Sequence, residues 1–336
     1  MIGCGDVAEV KSGPGFYKAR NSQLLAVMRR NGALAADFAR RHNVPRWHDD
    51  ADAIIKAPDI DAVYIATMTD THHEYTLRCA AAGKPAYVEK PMAMSHAQCL
   101  EMIGACKAAK VPLWVGYYRR GLPRFLAVRD LIASGAIGDV RMVIVQQFQR
   151  MPGEEQLKSH ALAWRADASL GGGIFFESVG HTLDILDFML GPIARVRSFA
   201  DNQADAYATE DVITATFRFE SGVYGSGAWC YTTDHDEEYN DIVGSKGRIR
   251  FSTFTPVPIR VMRGETVEEL PVGDPRHVHQ PLIQSIVDEM NGEGRCPSTG
   301  ESAARTARVL DAILDDFREG KRRAAQHRDA LSGTVE

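Results

Sequence analysis

The stretch Ile2-Gly3-Cys4-Gly5-Asp6-Val7-Ala8 has the pattern G-x-G-x-x-A, and it decides how the first third of the chain is interpreted. Glycines at this spacing permit a tight turn after a strand and let a pyrophosphate approach the backbone at the N-terminus of a helix. A glycine-rich turn near a chain end shows the same pattern, so the assignment depends on the elements downstream of it. The residues that would border a dinucleotide are Gly3, Gly5, Asp6, Val7 and Ala8.

Short apolar runs alternate with longer amphipathic stretches from residue 1 to about 117. Strands are predicted at 1–3, 23–28, 46–48, 62–67, 86–89 and 113–116, and helices at 34–41, 72–82 and 95–109. This βαβ alternation is typical of a parallel sheet covered on both faces, a doubly wound Rossmann sheet, and it favours the dinucleotide interpretation. Gly13-Pro14-Gly15 is expected to break the first helix early.

The pattern changes after Gly121, where a second domain is expected to begin. A helix to about 134, a strand over 140–149 and a polar linker over 151–173 precede an apolar helix over 174–190, which Gly191-Pro192 ends. Closely spaced strands then favour antiparallel pairing; they are predicted at 193–203, 210–220, 222–231, 237–244, 247–252, 258–263 and 266–270. Two helices, 279–291 and 301–319, complete the domain. The fold class is therefore α/β, with a Rossmann domain over 1–118, an α+β domain with a mostly antiparallel sheet over 119–325, and a polar tail over 326–336.

Composition narrows the functional class. The 336 residues are 45% hydrophobic and 25% charged, with a net charge of −5, so the chain is globular and has no basic excess for nucleic acid. No apolar run is long enough for a bilayer and no secretory leader is visible, so a cytoplasmic location without membrane partners is expected. The six cysteines form no C-x-x-C pair, and they are expected to be reduced thiols, with no metal site.

Arg29-Arg30 stands where a dinucleotide fold ends its second strand. An NAD site usually places a carboxylate there for the ribose 2′-hydroxyl. Two guanidiniums suit a 2′-phosphate better, because they form charge-assisted bidentate hydrogen bonds. NADP(H) is therefore favoured over NAD(H), with a solvated basic pair as the alternative.

Glu89-Lys90-Pro91 stands at the C-terminal end of the strand predicted at 86–89, at the carboxyl edge where open α/β sheets bind ligands. With the glycine loop upstream, this arrangement resembles the Gfo/Idh/MocA family of oxidoreductases. The resemblance extends over nearly the whole chain. It includes Ala66-Thr67 with His72, the run from Tyr117 to Arg120, Trp164-Arg165, and His181 four residues after an acidic position.

The resemblance implies hydride transfer between NAD(P) and a sugar, polyol, diol or related ketone. It makes Lys90 the catalytic lysine and His181 its partner in proton transfer. An ammonium beside a carbonyl oxygen stabilises the negative charge that grows there, and histidine exchanges protons near neutral pH. The plain alternative is a surface lysine at a strand end and a histidine satisfied within its helix.

The same resemblance implies other site residues. Glu177 replaces the usual Asp and lies one helical turn before His181, on the same helix face. It is assigned to the catalytic site, where it binds a substrate hydroxyl, orients the histidine or only lies beside it. Tyr118 is expected to line the substrate site, although aromatic residues at a domain junction are as often packing residues. The expected cofactor contacts also include Thr67, His72, Glu89, Lys90, Trp164 and Arg165; for the tryptophan and its arginine, a core residue beside a surface residue is the alternative.

Two other functions compete with the oxidoreductase. One is a dinucleotide-binding sensor without turnover, which the presence of Lys90 and His181 disfavours. The other is an NAD-dependent glycosidase that regenerates its cofactor in each cycle. No G-x-S-x-G elbow supports a serine hydrolase. A half-open antiparallel sheet is often covered by a symmetry mate, so a homodimer or homotetramer is expected.

Overall fold

The computed structural model describes residues 1–159 and 173–332, and these form two compact units. Unit 1 comprises Met1–Ala133, Leu183–Met189 and Pro271–Ala307. Unit 2 comprises Ser134–Thr182, Leu190–Leu270 and the chain from Arg308. Each unit is assembled from separate stretches of the chain, and the domain limits 1–118 and 119–325 stay a prediction.

Unit 1 contains a parallel sheet. Its strands are β1 (Ala26–Met28), β2 (Arg46–His48), β3 (Val63–Ile65), β4 (Ala86–Val88) and β5 (Leu113–Val115). Ile2 forms parallel bridges to Met28 and Ile65, so it joins the β1–β2 pair to the β3–β4–β5 sheet. The strands β1, β3, β4 and β5 are buried along their whole length, as expected for a sheet covered on both faces. The predicted parallel sheet is confirmed, with its first strand reduced to Ile2.

The helices predicted from the sequence after residue 30 are all present, and two short helices, Asp52–Ile55 and Glu154–Lys158, were not predicted. In chain order they are α1 (Gly13–Lys18), α2 (Gly32–His42), α3 (Asp52–Ile55), α4 (His72–Ala81), α5 (His96–Ala108), α6 (Pro123–Ala133), α7 (Glu154–Lys158), α8 (Ile174–Leu190), α9 (Gln280–Met290) and α10 (Gly300–Ser332). The last helix continues past its predicted end near Glu319. Within the described residues, no helix combines the length and apolar character that crossing a membrane requires.

The prediction that Gly13-Pro14-Gly15 breaks the first helix is wrong. A π-helical turn over Ala8–Ser12 leads directly into α1, and the Gly13 amide donates to the Ala8 carbonyl, five residues back. Proline clashes with the carbonyl four residues before it in a regular α-helix. The wider π turn avoids that geometry and leaves Pro14 in the first turn of α1, where its missing N–H costs nothing.

Unit 2 is built on an eight-stranded sheet. The strands are β6 (Val140–Arg150), β7 (Ile193–Asp201), β8 (Val212–Phe219), β9 (Tyr224–Thr233), β10 (Glu237–Gly244), β11 (Arg248–Phe251), β12 (Ile259–Arg263) and β13 (Thr266–Leu270). Their order is β13-β12-β11-β10-β6-β9-β8-β7, and only β6 and β9 pair in parallel. The mostly antiparallel sheet is therefore confirmed. Strand β8 alternates buried and exposed residues, so one face of the sheet packs on the core and the other faces outward.

Candidate active site

The glycine loop comes after Ile2 at the carboxyl edge of the unit 1 sheet. Gly3 has φ +92°, and a Cβ added there would lie 2.5 Å from the Ala66 carbonyl oxygen, so only glycine fits without strain. Its amide donates to the Met28 carbonyl at 2.9 Å. A Cβ on Gly5 would meet no heavy atom within 4 Å, so this glycine borders open space. The loop thus leaves room for a close approach of a pyrophosphate, as a dinucleotide site requires.

Arg29 and Arg30 come after β1 at the same edge. The Arg29 amide donates to the His48 carbonyl at 3.2 Å, which joins this turn to β2. Burial raises the pKa of the Cys4 thiol and the Arg29 charge opposes that rise, so the guanidinium lies near the glycine loop. Neither arginine forms an ion pair with any residue that the structure describes. Both charges are therefore available to an anion.

Glu89 ends β4, and its side chain turns into the unit. Its Oε1 accepts a hydrogen bond from the Tyr64 hydroxyl at 2.5 Å, and its Oε2 accepts one from the Lys90 amide at 3.2 Å. A Cβ on Gly116 would lie 2.9 Å from Oε2, so this glycine leaves space for the carboxyl group. Burial raises the pKa of Glu89, against the lowering effect of the Tyr64 hydrogen bond. The carboxyl group is therefore enclosed by protein groups, and the expected contact of Glu89 with the cofactor stays a prediction.

Lys90 is half-buried beyond the end of β4, and its peptide bond to Pro91 is cis. His72 stands behind this turn. Its Nδ1 lies 2.9 Å from the Pro91 carbonyl oxygen, and its Nε2 lies 3.1 Å from the Thr67 carbonyl oxygen. The buried imidazole thus joins the loops after β3 and β4, which favours a positioning role over a direct cofactor contact. Thr67 is half-buried, and its hydroxyl accepts a hydrogen bond from Thr71 at 2.7 Å.

Tyr118 lies in a short 3-10 helix over Tyr118–Gly121 and is buried. Its ring stacks on His279, with the centroids 4.3 Å apart, and the Arg119 guanidinium lies 5.0 Å from its centroid. The His279 Nδ1 lies 3.6 Å from Glu89 Oε1. The sequence offers no signal for this histidine, which lies far along the chain from Glu89 and outside any recognisable motif.

Glu177 and His181 belong to unit 2. Both are buried on α8, one turn apart, as predicted. The His181 ring meets Phe254 edge to face, with the centroids 6.3 Å apart. Phe254 also lines a cavity of about 740 Å³ in unit 2, whose wall carries Gln149, Arg150, Gln156, Asp236 and Glu238. Positively charged, negatively charged and amide side chains therefore line this cavity.

Two predicted contacts, Trp164 and Arg165, lie outside the described residues. Over the two described ranges, no group of three or more histidines, cysteines and carboxylates is placed to hold a metal ion. The six cysteines are unpaired thiols, and all but Cys230 are buried.

Comparison with known proteins assigns the family. The description "Oxidoreductase family, NAD-binding Rossmann fold" matches residues 1–117, and "GFO/IDH/MocA C-terminal domain" matches residues 125–250. The chain belongs to the GFO/IDH/MocA family. The resemblance inferred from the Glu-Lys-Pro turn is confirmed, and this GFO/IDH/MocA protein is an NAD(P)-dependent enzyme of the dehydrogenase and reductase class.

Relatives cover almost the whole GFO/IDH/MocA chain. An oxidoreductase of Formosa agariphila is 34% identical over 316 residues, which cover 93% of this chain and 97% of the relative. The 1,5-anhydro-D-fructose reductase of Ensifer adhaerens is 28% identical and covers 85% of this chain and 86% of its own length. The crystal structure of an aldose-aldose oxidoreductase from Caulobacter crescentus, complexed with glycerol, superposes with a TM-score of 0.82 at 26% identity; the match covers 95% of this chain and 97% of that one.

Proposed function

We propose that this protein transfers a hydride between NADP(H) and a hydroxyl-bearing carbon of a sugar, polyol or diol, or the corresponding ketone. The observation that carries the proposal is the convergence at one sheet edge. The glycine loop after Ile2, the arginines after β1 and Lys90 after β4 all come directly after parallel strands, and the carboxyl ends of parallel strands meet at the same edge.

A bound nicotinamide dinucleotide supplies or takes up the hydride. In the direction of reduction, negative charge grows on the carbonyl oxygen, and the Lys90 ammonium is the group proposed to stabilise it. His181 is proposed to deliver the proton that completes the hydroxyl group, with Glu177 binding a neighbouring hydroxyl or orienting the imidazole. In the direction of oxidation, His181 is proposed to accept the hydroxyl proton. Lys90 is proposed to stabilise the negative charge on the oxygen while the hydride leaves the carbon.

The arginine pair supports the preference for NADP(H). Arg29 lies near the glycine loop, and neither Arg29 nor Arg30 is neutralised by an ion pair within the described residues. A 2′-phosphate would give both guanidiniums an anionic partner, whereas a 2′-hydroxyl would leave the two positive charges without one.

The substrate class rests on the relatives and on the unit 2 cavity. One relative is named for 1,5-anhydro-D-fructose, and an inositol 2-dehydrogenase of Rhizobium meliloti is 31% identical over 232 residues. The cavity beside Phe254 carries carboxylate, amide and guanidinium groups, which suit the hydroxyl groups of a carbohydrate.

The test is a titration of the purified protein with NADPH and NADH, and then turnover with 1,5-anhydro-D-fructose, myo-inositol, levoglucosan and simple dicarbonyls. The proposal expects tighter NADPH binding and net NADPH oxidation or NADP⁺ reduction with at least one probe. Tight binding without turnover on any probe supports the sensor alternative. Cleavage of a glycoside without net consumption of cofactor supports the glycosidase alternative.

The cofactor preference is tested separately with Arg29→Ser/Arg30→Ser. The double variant is expected to raise the Kd for NADPH at least ten times more than the Kd for NADH, because only NADPH carries the 2′-phosphate. Arg20→Ser is the matched control, since this exposed arginine is not among the residues assigned to the cofactor. Equal losses for both nucleotides would contradict the 2′-phosphate assignment.

We also propose a homo-oligomer formed through the outward face of the unit 2 sheet. Phe199 on β7 is 83% exposed and Tyr224 on β9 is 59% exposed, which is unusual for large apolar side chains on a regular sheet. Burial of such residues favours association of two copies.

A further inference from the structure

The carboxyl group of Glu89 is surrounded by polar groups from three parts of unit 1. The Tyr64 hydroxyl on β3 donates to Oε1 at 2.5 Å, and the Lys90 amide donates to Oε2 at 3.2 Å. His279, which precedes α9, places its Nδ1 3.6 Å from Oε1. Lys90 follows Glu89 directly in the chain, so the buried carboxyl group lies next to the turn that carries the lysine.

His279 is buried and has an unused polar atom. Its Nδ1 has no hydrogen-bond partner within the described part of the chain. Burial lowers the pKa of His279 to about 3, and the charges of Lys11, Arg119 and Lys90 act in the same direction. The imidazole is therefore neutral at physiological pH and offers one N–H. With the proton on Nδ1, a shift of a few tenths of an ångström would bring that N–H into hydrogen-bond distance of Glu89.

We propose that Tyr64, Glu89 and His279 form a buried positioning cluster that holds the Lys90 turn in its working geometry through the ionised Glu89 carboxylate. The proposal rests on the function proposed for Lys90. None of the three side chains touches the reacting atoms, so they act through Lys90. The ring of His279 also supports Tyr118, on which it stacks at 4.3 Å.

The ionised form is the one that fits the geometry. Tyr64 and the Lys90 amide donate to different oxygens, and a carboxylate accepts both as charge-assisted hydrogen bonds, whereas protonation places an O–H on one oxygen and weakens the bond that this oxygen accepts. The groups that act on Glu89 are the hydroxyl of Tyr64, the charges of Lys90 and Lys11, and the ring of His279. Tyr87 on β4 faces the same carboxyl group, and the Glu89 charge raises the pKa of that phenol.

The cluster predicts a pH dependence with a definite sign. Burial raises the pKa of Glu89, and the Tyr64 hydrogen bond lowers it. Removing the Tyr64 hydroxyl therefore raises that pKa further, and the protonated, inactive form persists to higher pH. The acid limb of kcat/KM should move to higher pH in Tyr64→Phe and in His279→Phe, which keeps a ring against Tyr118 but loses the nitrogen.

The experiment monitors Glu89 directly and then through turnover. Carbon-13 NMR of glutamate Cδ is recorded against pH in the full-length protein without nucleotide, and Glu89→Gln identifies the signal by its loss. The same variants are assayed for kcat and KM against pH with NADPH and the best probe from the panel above. Tyr87→Phe is the matched control, because Tyr87 stacks on Tyr64 at 4.7 Å but its hydroxyl has no hydrogen-bond partner in the described chain.

The pH midpoint of the Glu89 titration is expected to be higher in Tyr64→Phe and His279→Phe than in wild type, and unchanged in Tyr87→Phe. The kinetic limb should move with it, and kcat should fall at least fivefold at low pH while the NADPH Kd is unchanged. The positioning cluster would be overturned if the Glu89 titration midpoint were the same in wild type and Tyr64→Phe. It would also be overturned if Glu89→Gln kept the acid limb of kcat/KM. Full activity of Lys90→Ala would instead overturn the proposed function.

Discussion

Two glycines of the same loop should respond to the same substitution in different ways. Gly3→Ala places a Cβ at φ +92°, 2.5 Å from the Ala66 carbonyl oxygen, and should lower the free energy of unfolding by about 1–3 kcal/mol. Gly5→Ala meets no protein atom and should leave stability unchanged while weakening nucleotide binding. Thermal unfolding and NADPH titration separate the two effects, and equal stability of both variants would contradict the loop geometry.

Glu210 should make stability depend on pH. Burial raises its pKa to about 7, and its Oε1 has no hydrogen-bond partner among the described residues. Because the folded pKa lies above the unfolded one, the folded state binds the proton more tightly, and the stabilisation is lost as pH rises through 7. Relative to Glu210→Gln, the wild type should lose up to about 3 kcal/mol between pH 4 and pH 9. Urea unfolding at both values measures this, and a constant difference would refute it.

The sequence could predict the position of some residues near the candidate site and not of others. The place of Lys90 after β4 could be predicted because the Glu-Lys-Pro turn follows an apolar strand, and its catalytic role stays a prediction. His279 could not, because its contact with Glu89 arises only when distant segments pack together. The direction of the Glu89 side chain could not be predicted either. The sequence shows that a carboxyl group is present, but not whether it points toward a ligand or toward Tyr64.

The second half of α8 is held by a buried ion network in unit 1. Arg120 donates to both oxygens of Asp184 at 2.8 Å and to Asp187 at 3.0 Å, and Arg305 on α10 also binds Asp187. Arg120→Met leaves buried carboxylates without their partner and should lower the free energy of unfolding by about 3–5 kcal/mol. Arg141→Met, which breaks an exposed pair with Asp139, should cost at most about 1 kcal/mol. Similar losses in both variants would contradict the network.

Elements with a clear period were predicted well, and exceptions have local causes. The apolar helix α8 starts and ends where the sequence indicated, because its apolar run is bounded by glycines. The predicted break of the first helix was wrong, because the hydrophobic pattern does not show the π turn that accommodates Pro14. The order of the strands could not be predicted from local hydrophobic periodicity, because that pattern does not show which strands pair. The Ile2 bridges and the parallel β6–β9 pair are examples.

At the scale of the whole molecule, the outward face of the unit 2 sheet should control assembly. Phe199→Glu places a charge where a second copy is proposed to pack and should shift the protein toward the monomer. Leu100→Glu is the control, because Leu100 is similarly apolar and 53% exposed but lies on α5 in unit 1. Sedimentation at several concentrations measures this. A wild type that is monomeric throughout would rule out the oligomer.

The most direct test of the central claim compares wild type and Lys90→Met for NADPH binding and for turnover of the best carbonyl probe. If Lys90 stabilises the charge on the reacting oxygen, the variant should bind NADPH with a Kd raised by less than about tenfold and lose at least about 100-fold in kcat. Turnover by Lys90→Met at the wild-type rate would contradict the assignment of Lys90 and, with it, the proposed mechanism.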